Sequence, residues 1–314
     1  MPATLSRDDA AQLRAYERRR HDALAEGYAG FFAPVTSRAI APLLEAVRIA
    51  PGIRLLDVAT GSGGLAAEAA RRGAQVVGVD LSSGMLEVAR RLHPGIDFRL
   101  GEVEHLPLPD RAMDAVACAF GIGHFPYPEA AVAECLRTLA PGGRIAFSWW
   151  DRSDRQRIQG LIREAVAEVG APPPAEVPQA HSTQRFCDPV EFRRLLDGAG
   201  LEDVTLHDHS ATHLVADIDA LWRGATGGMA STRSRRRRQR SAPRWSDAPP
   251  STRPSEAWSS RSPSGSAQAA SQADLGGPLR DRSPHVLTIN SERAQREEID
   301  ANVAVNMQPV SHRV

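Results

Sequence analysis

The sequence predicts an α/β fold with a doubly wound, mostly parallel, Rossmann-like sheet that carries helices on both faces. Between residues 53 and 150, apolar runs of strand length alternate with helical patterns, which is typical of βαβ units. The first of these runs ends in an acid and a glycine-rich turn that opens a helix, at residues 55–66. A helical lead-in precedes the alternating core, and a tail rich in Ser, Arg and Pro follows it. We therefore expect one α/β domain followed by a disordered segment.

Length and composition narrow the class of protein. The 314 residues contain no apolar run of about 18 residues and no charged start followed by an apolar stretch, so we expect neither a membrane span nor a signal peptide. A soluble cytoplasmic protein is the expectation. The three cysteines, Cys118, Cys135 and Cys187, are widely spaced, which favours reduced thiols over a disulfide framework or a zinc site. We expect no metal.

The formal net charge of zero hides an asymmetry between two parts of the chain. Residues 1–229 contain 24 Arg and 30 acidic residues, whereas residues 230–314 contain 14 Arg and 8 acidic residues. An acidic domain argues against binding to a phosphate backbone. We therefore expect a small-molecule substrate and no nucleic-acid partner for the domain.

The lead-in over residues 8–48 has a mostly helical pattern with an apolar, aromatic side. A helix in this position could form a lid over a ligand, with Tyr28, Phe31 or Phe32 covering it. Ordinary core contacts of a helix are the alternative interpretation of these aromatic residues.

The glycine-rich turn after the first predicted strand, 53–58, indicates a nucleotide-like ligand. Gly61 and Gly63 let the backbone approach a ligand without an intervening Cβ, and the first N–H groups of the following helix point into that space. The spacing also fits the dinucleotide pattern, with Asp80 about 20 residues on as a ribose-binding acid. Asp57 favours S-adenosylmethionine instead, because a carboxylate before the turn suits a cationic ligand better than a pyrophosphate. A purely structural role, with the glycines packing a helix and the acids capping helices, is the remaining alternative.

The remaining elements follow in order. Strands are predicted at 75–80, 97–102, 113–120, 144–150 and 201–207. Helices are predicted after Ser82 or Ser83, from Pro128 to about Leu139, from a Ser153/Gln156 capping box to about Val169, and from Asp188 to about Gly198. A turn at 141–143 separates the fourth helix from the fifth strand.

With these elements placed, the chain resembles a class I S-adenosylmethionine-dependent methyltransferase of the small-molecule branch that includes the ubiquinone and menaquinone C-methyltransferases. The motifs that carry the resemblance are residues 55–63, 77–86, 101–110, 119–121 and 139–144. They occur in the family's order. The resemblance implies the cofactor S-adenosyl-L-methionine and transfer of its methyl group to an oxygen, nitrogen or carbon atom.

The resemblance also implies the residues that hold the cofactor. They are Asp57, Ala59, Gly61, Ser62, Gly63, Asp80, Leu81, Met85, Glu102, Val103 and Ala119. The turn and its preceding acid would hold the methionine part, and Asp80 would take the ribose hydroxyls. Leu81 and Met85 would flank the adenine, Glu102 and Val103 would meet its edge, and Ala119 would lie beside the sulfonium. Ala59 and Glu102 depart from the family's usual residues.

His124, just past the fourth strand of the core, is the best candidate for a general base by its location. A structural histidine at a strand end is the alternative. Two further alternatives concern the function as a whole: an NAD-dependent Rossmann oxidoreductase, and a module that binds the cofactor without transferring a methyl group.

Composition breaks at about residue 229, so we expect the domain over 1–229, with its motif core at 50–150, and a low-complexity tail over 230–314. The part at 230–284 has hardly any apolar periodicity, which predicts disorder. An Arg-rich arm, a solvated tail and a shifted reading frame are the three interpretations. Methyltransferases of this kind end in an antiparallel strand beside strand 5, and the best remaining strand-like run is 285–290. We expect that final strand to be absent or poorly formed.

Overall fold

The computed structural model describes residues 5–170, 172, 177–178, 183–201, 203–209, 211–229, 287–288 and 302–304. The chain divides into two compact units, one of residues 1–230 with 286–314 and one of residues 231–285. The second unit lies outside the described residues, and so does the stretch for which disorder is predicted.

The lead-in is helical, as predicted. Helix α1 spans Arg7–Thr36 and α2 spans Ile40–Ala46. Ser6 caps α1 by accepting a hydrogen bond from the Asp9 amide at 3.1 Å, which satisfies one of the unpaired amides of the first turn. Within the described residues, no helix is long and apolar enough to cross a lipid bilayer.

Five parallel strands form the main sheet. They are β1 (Arg54–Val58), β2 (Gln75–Asp80), β3 (Asp97–Leu100), β4 (Met113–Ala119) and β5 (Leu139–Trp149). Their order across the sheet is β3-β2-β1-β4-β5. The intervening helices are α3 (Gly64–Arg71), α4 (Ser83–Leu92) and α5 (Pro128–Thr138). This confirms the predicted doubly wound architecture.

The sheet is covered on both faces. Successive side chains of a strand point to opposite faces, and Leu55, Leu56, Asp57 and Val58 of β1 are all at most 1% exposed. The strand order reverses between β1 and β4, and ligands of such sheets bind beyond the carboxyl ends at this reversal. The glycine-rich turn follows β1 at that point.

The C-terminal part adds helices and three short strands. They are α6 (Arg157–Glu168), α7 (Pro189–Gly198), β6 (Leu214–Val215), α8 (Ile218–Met229), β7 (Leu287–Thr288) and β8 (Asn302–Ala304). Strand β8 pairs antiparallel with β5, Ser148 lying opposite Val303. Strand β7 pairs with β6 in a separate two-stranded sheet. The final strand was predicted to be absent or poorly formed, with 285–290 as the candidate run. The strand beside β5 comes instead from Asn302–Ala304 and is three residues long, so that edge of the sheet is paired over a short stretch.

Three smaller predictions differ from the structure. The described residues at 203–206 form no strand; Val204 and Leu206 pack on the core, and Arg193 donates a hydrogen bond to the Val204 carbonyl at 3.0 Å. The turn predicted at 141–143 lies within the span of β5 as an irregularity, between the pairs Met113–Leu139 and Ala115–Arg144, and Gly142 there has φ +79°. Gln156 itself caps α6 by accepting from the Gln159 amide at 2.8 Å.

Candidate functional site

Helix α1 lies across the loops that follow the neighbouring strands β2 and β3. Asp22 Oδ1 accepts from Ser82 Oγ at 2.7 Å and from the Gly84 amide at 2.9 Å, both after β2. Arg14 Nε donates to Glu104 at 2.8 Å, after β3. The carboxyl ends of parallel strands meet at one edge of the sheet, so these contacts place α1 over that edge. We call α1 the lid helix for this position. The aromatic residues predicted to cover a ligand take part in a core cluster instead, in which Phe32 packs with Ile158, Val215 and Leu221.

The glycine-rich turn has the backbone form that the sequence predicts. Gly61 has φ +55° and Gly63, the N-cap of α3, has φ +83°. A Cβ built on Gly61 meets no atom within 4 Å, whereas one on Gly63 lies 2.8 Å from the Phe98 ring. Gly61 therefore leaves open space beside its backbone, and Gly63 is needed for packing. Ala59 also has a left-handed φ, +54°, which is strained for a residue with a Cβ.

Asp57 supports the turn from beneath. It is 1% exposed, and its Oδ2 accepts from Thr60 Oγ1 at 2.6 Å and from the Ala66 amide at 3.0 Å. Burial raises the pKa of this carboxyl to about 7, although both hydrogen bonds oppose the shift. A cation placed beside it would favour the ionised form. Asp57 is thus a buried acid bonded to the turn, and its contact with a positively charged ligand stays a prediction.

Asp80 joins the ends of β1 and β2. Its Oδ2 accepts from the Gly61 amide and its Oδ1 from the Ser82 amide, each at 2.8 Å. Burial raises the pKa of this carboxyl above its usual value. A carboxylate has about four acceptor positions, so two bonds leave capacity for hydroxyl donors from a ligand.

The remaining predicted cofactor contacts divide into two groups. Ser62, Leu81, Val103 and Ala119 lie in or beside the loops at this edge. Met85 instead packs with Ala25 of the lid helix. The Glu102 carboxylate is turned to α1, where Arg18 donates to it at 3.2 Å.

The end of β4 carries backbone strain. Phe120 has φ +57°, a conformation that bulky residues rarely adopt, and its amide donates to Ser148 O of β5 at 3.1 Å. Strained residues cluster at ligand sites, and Ala59 after β1 is the neighbouring example. The two strained positions flank the reversal in strand order.

His124 follows this strained end and contacts the lid helix. Its Nδ1 lies 3.2 Å from Glu17 Oε1, and its ring meets the Trp149 indole edge to face, with centroids 5.4 Å apart. Glu17 is 2% exposed. The sequence analysis missed Glu17, although an acid at the helical spacing of Ala10, Leu13 and Leu24 on a buried stripe was a visible signal.

His21 completes a three-residue cluster with Glu17 and His124. One ligand-type atom from each of the three lies within 4.8 Å of the others, a spacing that a metal ion or a hydrogen-bonded relay would use. His21 Nδ1 lies 2.9 Å from the Glu17 carbonyl oxygen. Arg20 stands 3.7 Å from Glu17 Oε2, so a positive charge already faces the carboxylate. This charge favours the relay.

The sequence is similar to those of known methyltransferases. A family model described as a methyltransferase domain matches residues 56–147. A ubiquinone biosynthesis O-methyltransferase of Idiomarina loihiensis is 38% identical over 161 residues, which are 50% of this chain and 64% of that protein. A ubiquinone/menaquinone biosynthesis C-methyltransferase of Methylobacterium nodulans is 34% identical over 203 residues, 60% of this chain and 80% of that protein.

A third relative is a demethylmenaquinone methyltransferase of Paenarthrobacter aurescens, 30% identical over 54% of this chain and 70% of that protein. Among solved structures, a methyltransferase of Aquifex aeolicus that depends on S-adenosylmethionine is 20% identical with a TM-score of 0.41, covering 54% of this chain and 82% of that one. The similarity to these methyltransferases extends over more than 160 residues and is not confined to the glycine-rich turn. An NAD-dependent oxidoreductase would share the turn but not this longer similarity. The chain belongs to the S-adenosylmethionine-dependent methyltransferase family.

Proposed function

We propose that this enzyme methylates a small ring compound bearing an ionisable hydroxyl, of the quinol or phenol type, at the hydroxyl oxygen or at the adjacent ring carbon. The observation that carries the proposal is the contact between His124 and the buried Glu17 at the carboxyl edge. A base is needed where the nucleophile must lose a proton. The names of the relatives, which include both O- and C-methyltransferases of quinone biosynthesis, supply the ring class.

The turn and the two acids fit S-adenosylmethionine, which supplies a methyl group activated on a sulfonium. We assign the methionine part to Asp57 and to the turn, with Ala59, Gly61, Ser62 and Gly63. The open space at Gly61 and the buried carboxyl of Asp57 support this assignment. These residues need not bind a phosphate group, because S-adenosylmethionine carries none.

Asp80 would bind the ribose hydroxyls through its remaining acceptor positions. Leu81 would lie against the adenine, and the Val103 backbone is a better candidate for the adenine edge than Glu102, whose carboxylate is already paired with Arg18. Met85 would act mainly by packing α4 against the lid.

The acceptor would bind between His124 and Ala119, where β4 ends. His124 would take the proton from the substrate hydroxyl as the new bond to the methyl carbon forms and the bond from that carbon to the sulfonium sulfur breaks, with S-adenosylhomocysteine as the leaving group. In methylation at carbon, the attacked ring carbon would then lose its own proton to water, which restores the aromatic ring. The lid helix would exclude water and hold the two reactants in line, which is the main contribution a protein makes to such a displacement.

Two measurements test the proposal. A methyl-release assay over hydroquinones, catechols, phenols and amines should show turnover with the hydroxylated rings, and NMR of the product distinguishes O- from C-methylation. Replacing His124 by Gln should lower kcat by about 10²-fold, within the usual contribution of a general base. Turnover confined to amines, or full activity of the variant, would contradict it.

Titration calorimetry separates the remaining alternatives. S-adenosylhomocysteine should bind and NADH should not. Binding of the homocysteine derivative without turnover of any acceptor in the panel would favour a module that binds the cofactor only.

A further inference from the structure

We infer that Glu17 of the lid helix is a positioning residue for His124, so that the base is complete only while α1 is docked on the carboxyl edge. The inference rests on the proposed function for its catalytic consequence. The contact itself is a property of the resting protein.

The geometry is that of a carboxylate that orients an imidazole. With Nδ1 at 3.2 Å from Glu17 Oε1, the ring donates its Nδ1–H to the carboxylate. That tautomer makes Nε2 the basic nitrogen, and the carboxylate stabilises the imidazolium that forms once a proton has been taken. The edge-to-face contact with Trp149 fixes the ring from another side.

Arg20 and His21 also face the pair, and His21 Nδ1 lies 3.3 Å from Glu17 Oε2. Arg20, 3.7 Å from Glu17 Oε2, balances the buried carboxylate. His21 lies edge to face with His124 at 5.3 Å, and burial lowers the pKa of His21 to about 4. His21 is therefore neutral near pH 7 and places no second positive charge beside His124. Trp149 is uncharged.

The pair also joins two parts of the chain that are 107 residues apart. Asp22 and Arg14, on the same helix, help to hold α1 against the loops after β2 and β3, and Ala25 packs the helix on Met85. Release of α1 removes the carboxylate from His124 while leaving the glycine-rich turn intact. Docking of α1 on the carboxyl edge therefore also orients the imidazole of His124.

The test compares Glu17→Gln with Glu26→Gln. Glu26 lies on the same helix, and its ion pair with Arg91 joins two exposed side chains. We expect Glu17→Gln to lower kcat by about 10²-fold, with KM for the acceptor and affinity for S-adenosylhomocysteine changed less than about twofold. Glu26→Gln should leave all three unchanged. Glu17→Asp, which keeps the carboxylate, should recover part of the lost kcat.

Non-additivity is the second readout. A positioning residue acts through its partner, so Glu17→Gln should cost little once His124 is already Gln. A full additional loss in that background would overturn the inference, as would an equal loss of kcat in Glu26→Gln. Circular dichroism and thermal unfolding check that each variant is folded.

Nitrogen NMR of labelled His124 supplies a readout that needs no turnover. The wild type should show the Nδ1–H tautomer, and Glu17→Gln should shift it toward a mixture. Unchanged ring shifts in the variant would overturn the inference even in an active methyltransferase. The expected shift in a protein that methylates no hydroxylated ring would support the positioning and refute only the proposed function. Stoichiometric binding of Zn²⁺ by the wild type, abolished in Glu17→Gln, would show a metal site in place of the relay.

Discussion

The cofactor region and the lid region are built in different ways. Around the glycine-rich turn, the contacts are mostly local and use the backbone: Asp57 reaches Thr60 and Ala66, and Asp80 reaches Gly61 and Ser82. Beneath the lid, side chains meet across 60 to 107 residues of sequence. A site made by a strand, a turn and a helix start leaves a motif in the sequence. A site made where a distant helix docks leaves almost none.

The largest expected effect concerns Asp80, which tests whether the cofactor region acts independently of the lid. Asp80→Ala should weaken binding of S-adenosylhomocysteine by about one to two powers of ten, because a lost charge-assisted hydrogen bond costs about 1.5–3 kcal/mol. Titration calorimetry measures this. Asp97→Ala, which removes an exposed partner of Arg99, is the control. Unchanged affinity in a folded Asp80 variant would place the ribose elsewhere.

A pH effect at Asp57 comes next. Because the pKa of the ligand-free carboxyl is about 7 and the ionised form suits a cationic ligand, affinity for S-adenosylmethionine should rise about tenfold between pH 6 and pH 8. Asp57→Asn should flatten this dependence. A flat profile in the wild type would mean that the ligand's positive charge lies away from Asp57.

The same shift has a consequence for the ligand-free protein. An acid whose pKa is higher in the folded state than in the unfolded state releases its proton on unfolding, at any pH between the two pKa values. The free energy of unfolding should therefore fall as the pH rises from about 4 to about 7. Urea titrations of the wild type and Asp57→Asn at pH 5 and pH 7.5 measure the difference, and an equal pH dependence in both would contradict it.

Asp22 tests the other side of the comparison. Asp22→Ala removes the bonds to Ser82 Oγ and to the Gly84 amide, each worth about 1 kcal/mol. The lid should open more often, so kcat/KM for the acceptor should fall about fivefold while affinity for S-adenosylhomocysteine changes less. Hydrogen exchange should rise along α1. Glu26→Ala serves as the control, and an effect confined to cofactor affinity would mean that α1 belongs to the cofactor region.

The smallest expected effect lies at Ala59. Its left-handed φ of +54° is strained with a Cβ, so Ala59→Gly should raise the free energy of unfolding by about 0.5–1 kcal/mol. Ala67→Gly, the same change inside α3, should lower it by a similar amount. Denaturant unfolding measures both. A loss of stability at Ala59 would show that the turn tolerates its alanine without strain.

The sequence was sufficient for the sheet and for the position of the turn, because strand period, capping residues and φ-positive glycines are local properties. It failed at 203–206, where Val204 and Leu206 pack on the core without forming a strand, and at Asn302–Ala304, whose pairing depends on the edge of β5. Glu17 could not be assigned, since its partner lies far along the chain. The position of His124 after a strand was predicted, and its contact with Glu17 was not.

The length of sequence between α1 and its partners has a consequence for synthesis. A ribosome makes α1 before its partners: Ser82, Glu104 and His124 follow Asp22, Arg14 and Glu17 by 60, 90 and 107 residues. Phe32 packs with Val215 and Leu221, which are translated later still. Until those residues are made, the apolar stripe of the nascent helix lacks its native contacts. Synthesis proceeds at about 5–20 residues per second, so this interval lasts for seconds. Helix α1 is thus translated well before the residues that cover it, and during that interval its apolar stripe is open to association with other chains.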